Sequence, residues 1–150
     1  GECKCTQSQI HKYLGKLSGP LMDRIDLHIE VDNVTYDELT SKSSNEECSA
    51  DIKKRVDKAR EIQLSRFKNE KIFSNASMGV KQCNEYCQLD ETCEKLLKEA
   101  FEKLKLSARA HNRILKVART IADLEGSEKI CFNHLAEAIQ YRSLDKKYWQ

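Results

Sequence analysis

The stretch that decides the fold is residues 106–124, which read LSARAHNRILKVARTIADL. Ser107 is a residue type favoured at helix N-caps, and Gly126 is the type that most often ends a helix. Between them, apolar residues recur every three or four positions. These positions are Ala110, Ile114, Val117, Ala118 and Ile121. The pattern predicts an amphipathic helix with one buried face.

Three other stretches have the same helical periodicity and define the rest of the predicted core. Their inward-facing positions are Ile52, Val56, Ala59, Gln63 and Phe67 in the first stretch, Cys93, Leu96, Leu97, Ala100 and Leu104 in the second, and Leu135, Ala138 and Ile139 in the third. Asp90 can cap the second helix. The periodicity lapses between Lys68 and Gly79, which indicates a loop. Amphipathic helices joined by short connections predict a mainly α protein with a small helical bundle.

The composition supports this fold class. The 150 residues are 33% charged and 39% hydrophobic and include 1 proline and 5 glycines, a profile that favours helices over sandwiches or barrels. Lysine and arginine number 26 against 24 acids, so the net charge of +2 gives no global reason to expect nucleic-acid or membrane binding. Any such contact would have to be local.

The sequence carries no sign of a secretion signal or a membrane anchor. Residues 1–20 are polar, and no stretch approaches the roughly 20 apolar residues that span a bilayer. The 7 cysteines are an odd number without paired spacing, which suits a reducing compartment. We therefore expect a cytoplasmic protein without a membrane partner. Because the chain opens at Gly1 rather than at a methionine, we also expect a piece of a longer protein.

The second informative stretch is residues 18–31, which read SGPLMDRIDLHIEV. Its alternating apolar residues are Ile25, Leu27, Ile29 and Val31. This period of two predicts a strand with one buried face. Arg24 stands at the root of the predicted strand, where a guanidinium is aimed and can bind phosphate oxygens bidentately. The alternative is a local ion pair between Arg24 and Asp23 or Asp26.

A short helix precedes this strand and a linker follows it. Thr6 can cap the helix, which ends before Pro20. The polar run SKSSN at residues 41–45 indicates the linker. We place a domain boundary there, between residues 1–45 and a helical domain at residues 46–150.

Four cations crowd the first part of the helix at residues 106–124. They are Arg109, Arg113, Lys116 and Arg119. Cations near a helix N-terminus oppose the helix dipole by roughly 0.3 to 1 kcal/mol each, so this placement asks for a reason. Arg109 is the second residue after the Ser107 cap, where its side chain and the free backbone N–H groups can face an anion. For the other three, the alternative is a solvated helix face.

These two stretches, together with HLAEAIQYRSLD at residues 134–145, resemble the C-terminal portion of magnesium-chelatase-like AAA+ ATPases of the ComM/YifB type. The resemblance covers essentially all 150 residues in the same order. It implies that residues up to about Val31 are a short helix-strand remnant of the α/β ATPase core. It also implies that the later helices form the AAA+ lid.

The resemblance further implies roles for single arginines. Arg24 is similar to the arginine finger that reaches the γ-phosphate held by an adjacent subunit, and Arg109 is similar to the sensor-2 arginine of the lid. We assign nucleotide binding to Arg109 and Arg113. Whether Arg109 serves its own subunit or a neighbour stays open. The full-length protein would use ATP and Mg²⁺ and form a homo-oligomeric ring, with DNA in transformation or recombination as one candidate target.

The chain lacks the main parts of an ATP site. It contains no GxxxxGK[ST] loop and no hydrophobic strand that ends in paired acids for magnesium. Two arginines without the phosphate cradle leave most phosphate contacts unmade. We therefore expect no ATP hydrolysis and no bound cofactor in this chain alone.

Two groups of cysteines raise the question of a metal site. Cys3 and Cys5 form one CxC pair, and in the resembled family a second pair often precedes it, so half of a four-thiolate zinc set is present. A second candidate group is Cys83, Cys87, Cys93, His111 and His134. Buried free cysteines behave as small hydrophobes, so we expect no metal at either group. A thiol or zinc switch is the corresponding alternative.

The other alternative is an autonomous helical module that binds DNA or a protein partner. Its basic residues would be Lys53, Lys54, Arg55, Lys58 and Arg60. Asp51, Asp57 and Glu61 interrupt this run, which favours a solvated, salt-bridged helix face.

Overall fold

The computed structural model describes residues 4–16, 18–40 and 47–142. Its helices are α1 (Gln7–Leu14), α2 (Gly19–Met22), α3 (Tyr36–Thr40), α4 (Ser49–Arg66), α5 (Val80–Tyr86), α6 (Glu91–Leu104), α7 (Ala108–Glu125) and α8 (Phe132–Gln140). A short 3₁₀ helix at Asn75–Ser77 lies between α4 and α5. The linker predicted at residues 41–45 lies outside the described residues, as does Leu17.

The bundle is built around α7, which packs against α4, α5 and α8, while α6 packs against α8. The apolar core takes side chains from α5, α6, α7 and α8, from Phe67 directly after α4, and from the loops between the helices. It consists of Phe67, Met78, Cys83, Cys87, Cys93, Leu97, Leu106, Ala110, Ile114, Leu115, Ala118, Ala122, Ile130, Leu135 and Ala138. Three alanines on α7 let its neighbours approach closely. The predicted mainly α bundle is confirmed.

The predicted helix ends are confirmed where the capping residue is clear from the sequence. The Ser107 Oγ accepts a hydrogen bond from the Ala110 N–H at 3.2 Å. Gly126 ends α7 with a φ of 79°, in the left-handed region that favours glycine. Asp90 caps α6 and Thr6 caps α1 through their side-chain oxygens. These ends are local features, so the sequence is enough to predict them.

Helix α5 is not predicted from the sequence. It is 7 residues long, and Cys83 is its buried residue. One buried thiol in a short polar stretch gives no periodic apolar signal. The helix forms because Cys83 and the following Cys87 pack into the core under α7.

Helix α4 buries only its second half. Ala59, Gln63 and Phe67 are buried as predicted, but Ile52 and Val56 are exposed at 43% and 45%. The first half of α4 therefore lies outside the core. Within the described part of the chain, no helix combines the length and the apolar content needed to cross a bilayer.

The strand predicted over residues 25–31 is wrong. These residues form no strand in the structure, and their apolar side chains are exposed, from 40% at Ile25 to 86% at Val31. A strand needs a neighbouring strand for its N–H and C=O groups, and the described residues contain none. The segment instead lies against the end of the bundle, where the His28 N–H donates to the Tyr141 C=O at 2.9 Å.

Candidate functional site

Arg24 lies in the turn that follows α2. The Arg24 N–H donates to the Leu21 C=O at 2.9 Å, and the Met22 side chain is buried beneath the turn. The backbone is therefore held, while the Arg24 side chain is exposed. Among the residues that the structure describes, no acceptor bonds to its guanidinium.

The two carboxylates beside Arg24 are engaged elsewhere. Asp23 lies 3.6 Å from the guanidinium of Arg142, and Asp26 forms an ion pair with Arg113. The alternative in which Arg24 pairs with one of these acids is therefore not what the structure shows. Both acids instead fasten the Arg24 segment to the helical bundle.

Arg109 is the second residue of α7, where the backbone N–H groups of the first turn have no acceptor within the helix. Its side chain is exposed and has no hydrogen-bond acceptor in the described ranges. Arg113 lies one turn further along the same face of α7 and is half-buried against Asp26. The structure thus brings Arg113 to the Arg24 segment and leaves Arg109 open to solvent one turn away.

Arg119 does not lie on a solvated face, so that interpretation of the sequence is wrong. Its guanidinium is buried and donates to the Asp123 carboxylate at 3.0 Å and to the C=O groups of Ser127 and Glu128. Arg66 of α4 donates to the same carboxylate at 2.8 Å. Desolvating a guanidinium is unfavourable unless acceptors replace the lost water, and this cluster supplies them.

Asn75 extends this buried cluster to the 3₁₀ helix. Its Nδ2 donates to Asp123 at 2.7 Å, and its backbone N–H donates to the Gln63 Oε1 at 3.1 Å. Sequence reasoning missed the cluster. The available signal was the spacing of Arg119 and Asp123, four residues apart on α7, which allows an ion pair on one face.

Lys116 also has a structural role rather than a solvated position. It is half-buried, and its Nζ donates to the Ala76 C=O at 3.0 Å. Of the four cations in the first part of α7, Arg109 alone has no bond within the described part of the chain. Tertiary contacts therefore account for the other three, which lie beyond the first turn of α7, where the helix dipole has little effect.

An open groove of about 710 Å³ lies between α5, α6 and the first turns of α7. The buried thiols of Cys83 and Cys87 line it, together with His111. Burial raises the pKa of both thiols, that of Cys87 to about 12, and burial also raises the pKa of Cys93 to about 11. Such thiols stay protonated at neutral pH, which makes them poor nucleophiles.

No metal cluster is apparent in the described ranges, where no three histidine, cysteine or acidic side chains are placed to hold an ion. Both ring nitrogens of His134 are occupied: Nδ1 accepts from the Cys131 N–H at 2.9 Å, and Nε2 pairs with Glu125. Cys3 of the CxC pair lies outside the described residues.

The charged face of α4 is largely neutralised by acids close by in the chain. The pairs are Lys53 with Asp57, Lys54 with Asp51, and Arg55 with Glu47. All of these side chains are exposed. The arrangement is that of a solvated, salt-bridged face and offers no concentrated basic surface for a phosphate backbone.

Two family models match the chain. The model described as "Magnesium chelatase, subunit ChlI C-terminal" matches residues 46–142. The model described as "Magnesium chelatase, subunit ChlI" matches residues 1–39. The first of these covers well over half of the chain, including the whole helical bundle from α4 to α8.

Several curated relatives are similar over nearly all of the chain. "Competence protein ComM" of Haemophilus influenzae is 43% identical over 141 residues, which are 94% of this chain and 27% of that protein. "Uncharacterized protein YifB" of Salmonella typhimurium is 41% identical over 143 residues, 95% of this chain and 28% of that protein. The Escherichia coli protein of the same name is 39% identical with the same coverage. The chain spans little more than a quarter of the length of these relatives. On the matched family models and these identities, the chain belongs to the magnesium chelatase family and is of the ComM/YifB type.

Proposed function

We propose that the chain is the C-terminal lid segment of a magnesium-chelatase-like AAA+ ATPase and supplies two guanidinium groups for ATP hydrolysis by an oligomeric ring. Arg24 is the arginine finger in this proposal, and Arg109 is the sensor-2 arginine. Residues 1–45 are the C-terminal remnant of the ATPase core, and residues 46–150 are the lid domain. The protein acts in the cytoplasm, and its ring partners are further copies of itself.

The contrast among the arginines of this region supports the proposal best. Arg24 and Arg109 are exposed and bond to no acceptor in the described residues. Arg113 and Arg142 each hold a contact between distant parts of the chain, and Arg119 is buried and bonded to acceptors at the end of α7 and just after it. An exposed guanidinium on a fixed backbone can meet a phosphate without first breaking a bond, so little binding energy is lost to rearrangement.

The two exposed guanidinium groups have the chemistry to bind the phosphates of a nucleotide. They would make only some of the phosphate contacts that an ATP site needs. A guanidinium donates two parallel N–H bonds to phosphate oxygens and stabilises the negative charge that builds up on them during transfer. Bound ATP with Mg²⁺ supplies the phosphoryl group that hydrolysis releases. This chain orients and neutralises the phosphates, and the cradle that holds them belongs to the rest of the longer protein or to a neighbouring subunit.

Arg113 enters the proposal as a second nucleotide contact on α7. Its ion pair with Asp26 has to open before a phosphate oxygen can take the place of the carboxylate. We therefore rank Arg113 behind Arg109 as a nucleotide ligand. In this proposal, a nucleotide that binds Arg113 releases Asp26 from its ion pair. Because Asp26 is two residues from Arg24, this release changes how the Arg24 segment is held.

Removing each guanidinium from the purified full-length protein tests the proposal. Arg24→Ala is expected to lower kcat for ATP hydrolysis at least about 10³-fold, as for other arginine fingers, without changing the melting temperature. Arg109→Ala is expected to lower kcat about 10²-fold. Arg60→Ala, which removes another exposed arginine from α4, is the matched control and should retain wild-type turnover. Near-normal hydrolysis by Arg24→Ala would contradict the proposed role.

We also propose DNA as a target of the full-length protein. The basis is the name of the Haemophilus influenzae relative, which is called a competence protein. The paired charges on α4 disfavour DNA contacts through that helix. Fluorescence anisotropy with labelled duplex DNA should therefore show no strongly salt-dependent binding by this chain. Tight, salt-sensitive binding would favour the DNA-binding module instead.

A further inference from the structure

Arg142 contacts the chain on both sides of Arg24. It lies just after α8 and is 1% exposed. Its Nη1 donates to the C=O of Ile25, the residue after Arg24, and its Nη2 lies 3.6 Å from the carboxylate of Asp23, the residue before Arg24. One buried guanidinium from the end of the bundle therefore holds the backbone on one side of Arg24 and a side chain on the other.

Two further polar contacts hold the same segment. The His28 N–H donates to the Tyr141 C=O at 2.9 Å, and Asp26 pairs with Arg113 of α7. The alternating apolar side chains from Ile25 onwards are exposed, so they add little to this attachment. The position of the Arg24 turn thus depends on the buried Met22 side chain and on hydrogen bonds and ion pairs to α7 and to the residues just after α8, rather than on a sheet.

We propose that Arg142 is a positioning residue for Arg24. By holding the residues on both sides of Arg24, Arg142 fixes the direction in which the Arg24 side chain extends into solvent. The inference rests on the proposed function, in which Arg24 contacts a nucleotide phosphate. A misplacement of about 1 Å can lower the rate of a positioned reaction about 10²-fold, so an exposed finger needs a rigid base. Arginine suits this task because its planar fork can serve a carbonyl and a carboxylate together, whereas lysine is a single point donor.

Kinetics of the full-length protein test this role through a cycle of variants. Arg142→Lys and Arg142→Met are expected to lower kcat for ATP hydrolysis about 10²-fold with the KM for ATP unchanged. In the Arg24→Ala background, neither substitution should lower kcat further, because the group that Arg142 positions is gone. If the fold-decrease in kcat caused by Arg24→Ala and that caused by the Arg142 substitution multiply in the double variants, the positioning role is overturned.

Hydrogen exchange supplies a readout that does not depend on activity. In Arg142→Lys and Arg142→Met, the His28 amide should exchange at least about tenfold faster, because its segment is no longer held. Arg119→Lys is the matched control: it alters another buried arginine and should leave the His28 amide protected.

The outcomes separate the two proposals. Unchanged kcat in Arg24→Ala defeats the proposed function, and the exchange rate of the His28 amide then still decides whether Arg142 holds the segment. Unchanged protection of that amide in both Arg142 variants overturns the inference. If neither variant folds, Arg142 serves the stability of the bundle and the positioning role is likewise overturned.

Discussion

The helical bundle and the segment at residues 18–31 use their side chains in opposite ways. In the bundle, apolar side chains such as Ile114 and Leu135 are buried, and the helices they lie on are well formed. In the segment, the apolar side chains from Ile25 to Val31 are exposed, and polar contacts attach it to the bundle. The difference teaches that an apolar pattern forms its element only where a partner surface covers it.

The same two regions also differ in how they treat arginine. The bundle encloses Arg66 and Arg119 around one shared carboxylate, Asp123. In the segment, the Arg24 side chain is exposed to solvent, although acidic residues are close to it in the sequence. Burial with several acceptors identifies an arginine that stabilises the fold. An exposed arginine on a fixed turn is free to bind a ligand.

The largest expected effect is at the shared carboxylate of the bundle. Asp123→Ala leaves two buried guanidinium groups without their common acceptor, so we expect the free energy of unfolding to fall by about 3–5 kcal/mol. Urea denaturation of the 150-residue chain, followed by circular dichroism, measures this loss. Asp57→Ala, which removes an exposed partner of Lys53, is the control and should change stability by no more than about 0.5 kcal/mol. Equal effects of the two substitutions would remove the contrast between buried and exposed pairs.

A second, smaller effect compares a leucine in each region. Leu135→Ala opens a cavity in the core of the bundle and should lower the free energy of unfolding by about 3 kcal/mol. Leu27→Ala removes an exposed side chain of the segment and should change it by less than about 0.5 kcal/mol. The same denaturation experiment measures both. A comparable loss in Leu27→Ala would mean that the segment belongs to the core after all.

The smallest effect compares the cap of a bundle helix with the cap of α1, which precedes the segment in the chain. Ser107→Ala removes the side-chain bond to the first turn of α7, a helix with a buried face, and should lower stability by about 1 kcal/mol. Thr6→Ala removes the cap of α1, which has no buried residue, so the unfolding midpoint should not move. Thermal melts of the two variants check this. A lower midpoint for Thr6→Ala would show that α1 unfolds together with the bundle.

The sequence was sufficient for most of the helices and insufficient for the segment. Ser107, Asp90 and Gly126 act on backbone groups within a few residues, so the ends of α6 and α7 could be predicted without knowledge of the packing. The prediction of a strand at residues 25–31 is wrong because the described residues contain no strand with which this segment could pair. Helix α5 was missed because its burial depends on α7, which lies later in the chain.

Some residues of the candidate site could be predicted from the sequence, and others could not. The resemblance to the family selects Arg24 and Arg109, and the helix cap at Ser107 separately places Arg109 in the first turn of a helix. The local argument for Arg24, that it stands at the root of a strand, is wrong. The roles of Arg113 and Arg142 could not be predicted in this way. Arg113 meets Asp26 across 87 residues of sequence, and Arg142 meets Ile25 across 117. No local pattern encodes contacts of that separation.

By itself, the sequence determined that this chain is helical, where its longest helices end and which family it resembles, because periodicity and capping act over one or two helical turns. Only the tertiary structure decided which arginines are enclosed and which face solvent. The physical reason is that a guanidinium is buried only where packing brings enough acceptors to replace its water. Some of those acceptors, such as Asp123 for Arg66 and the Ile25 C=O for Arg142, come from distant parts of the chain.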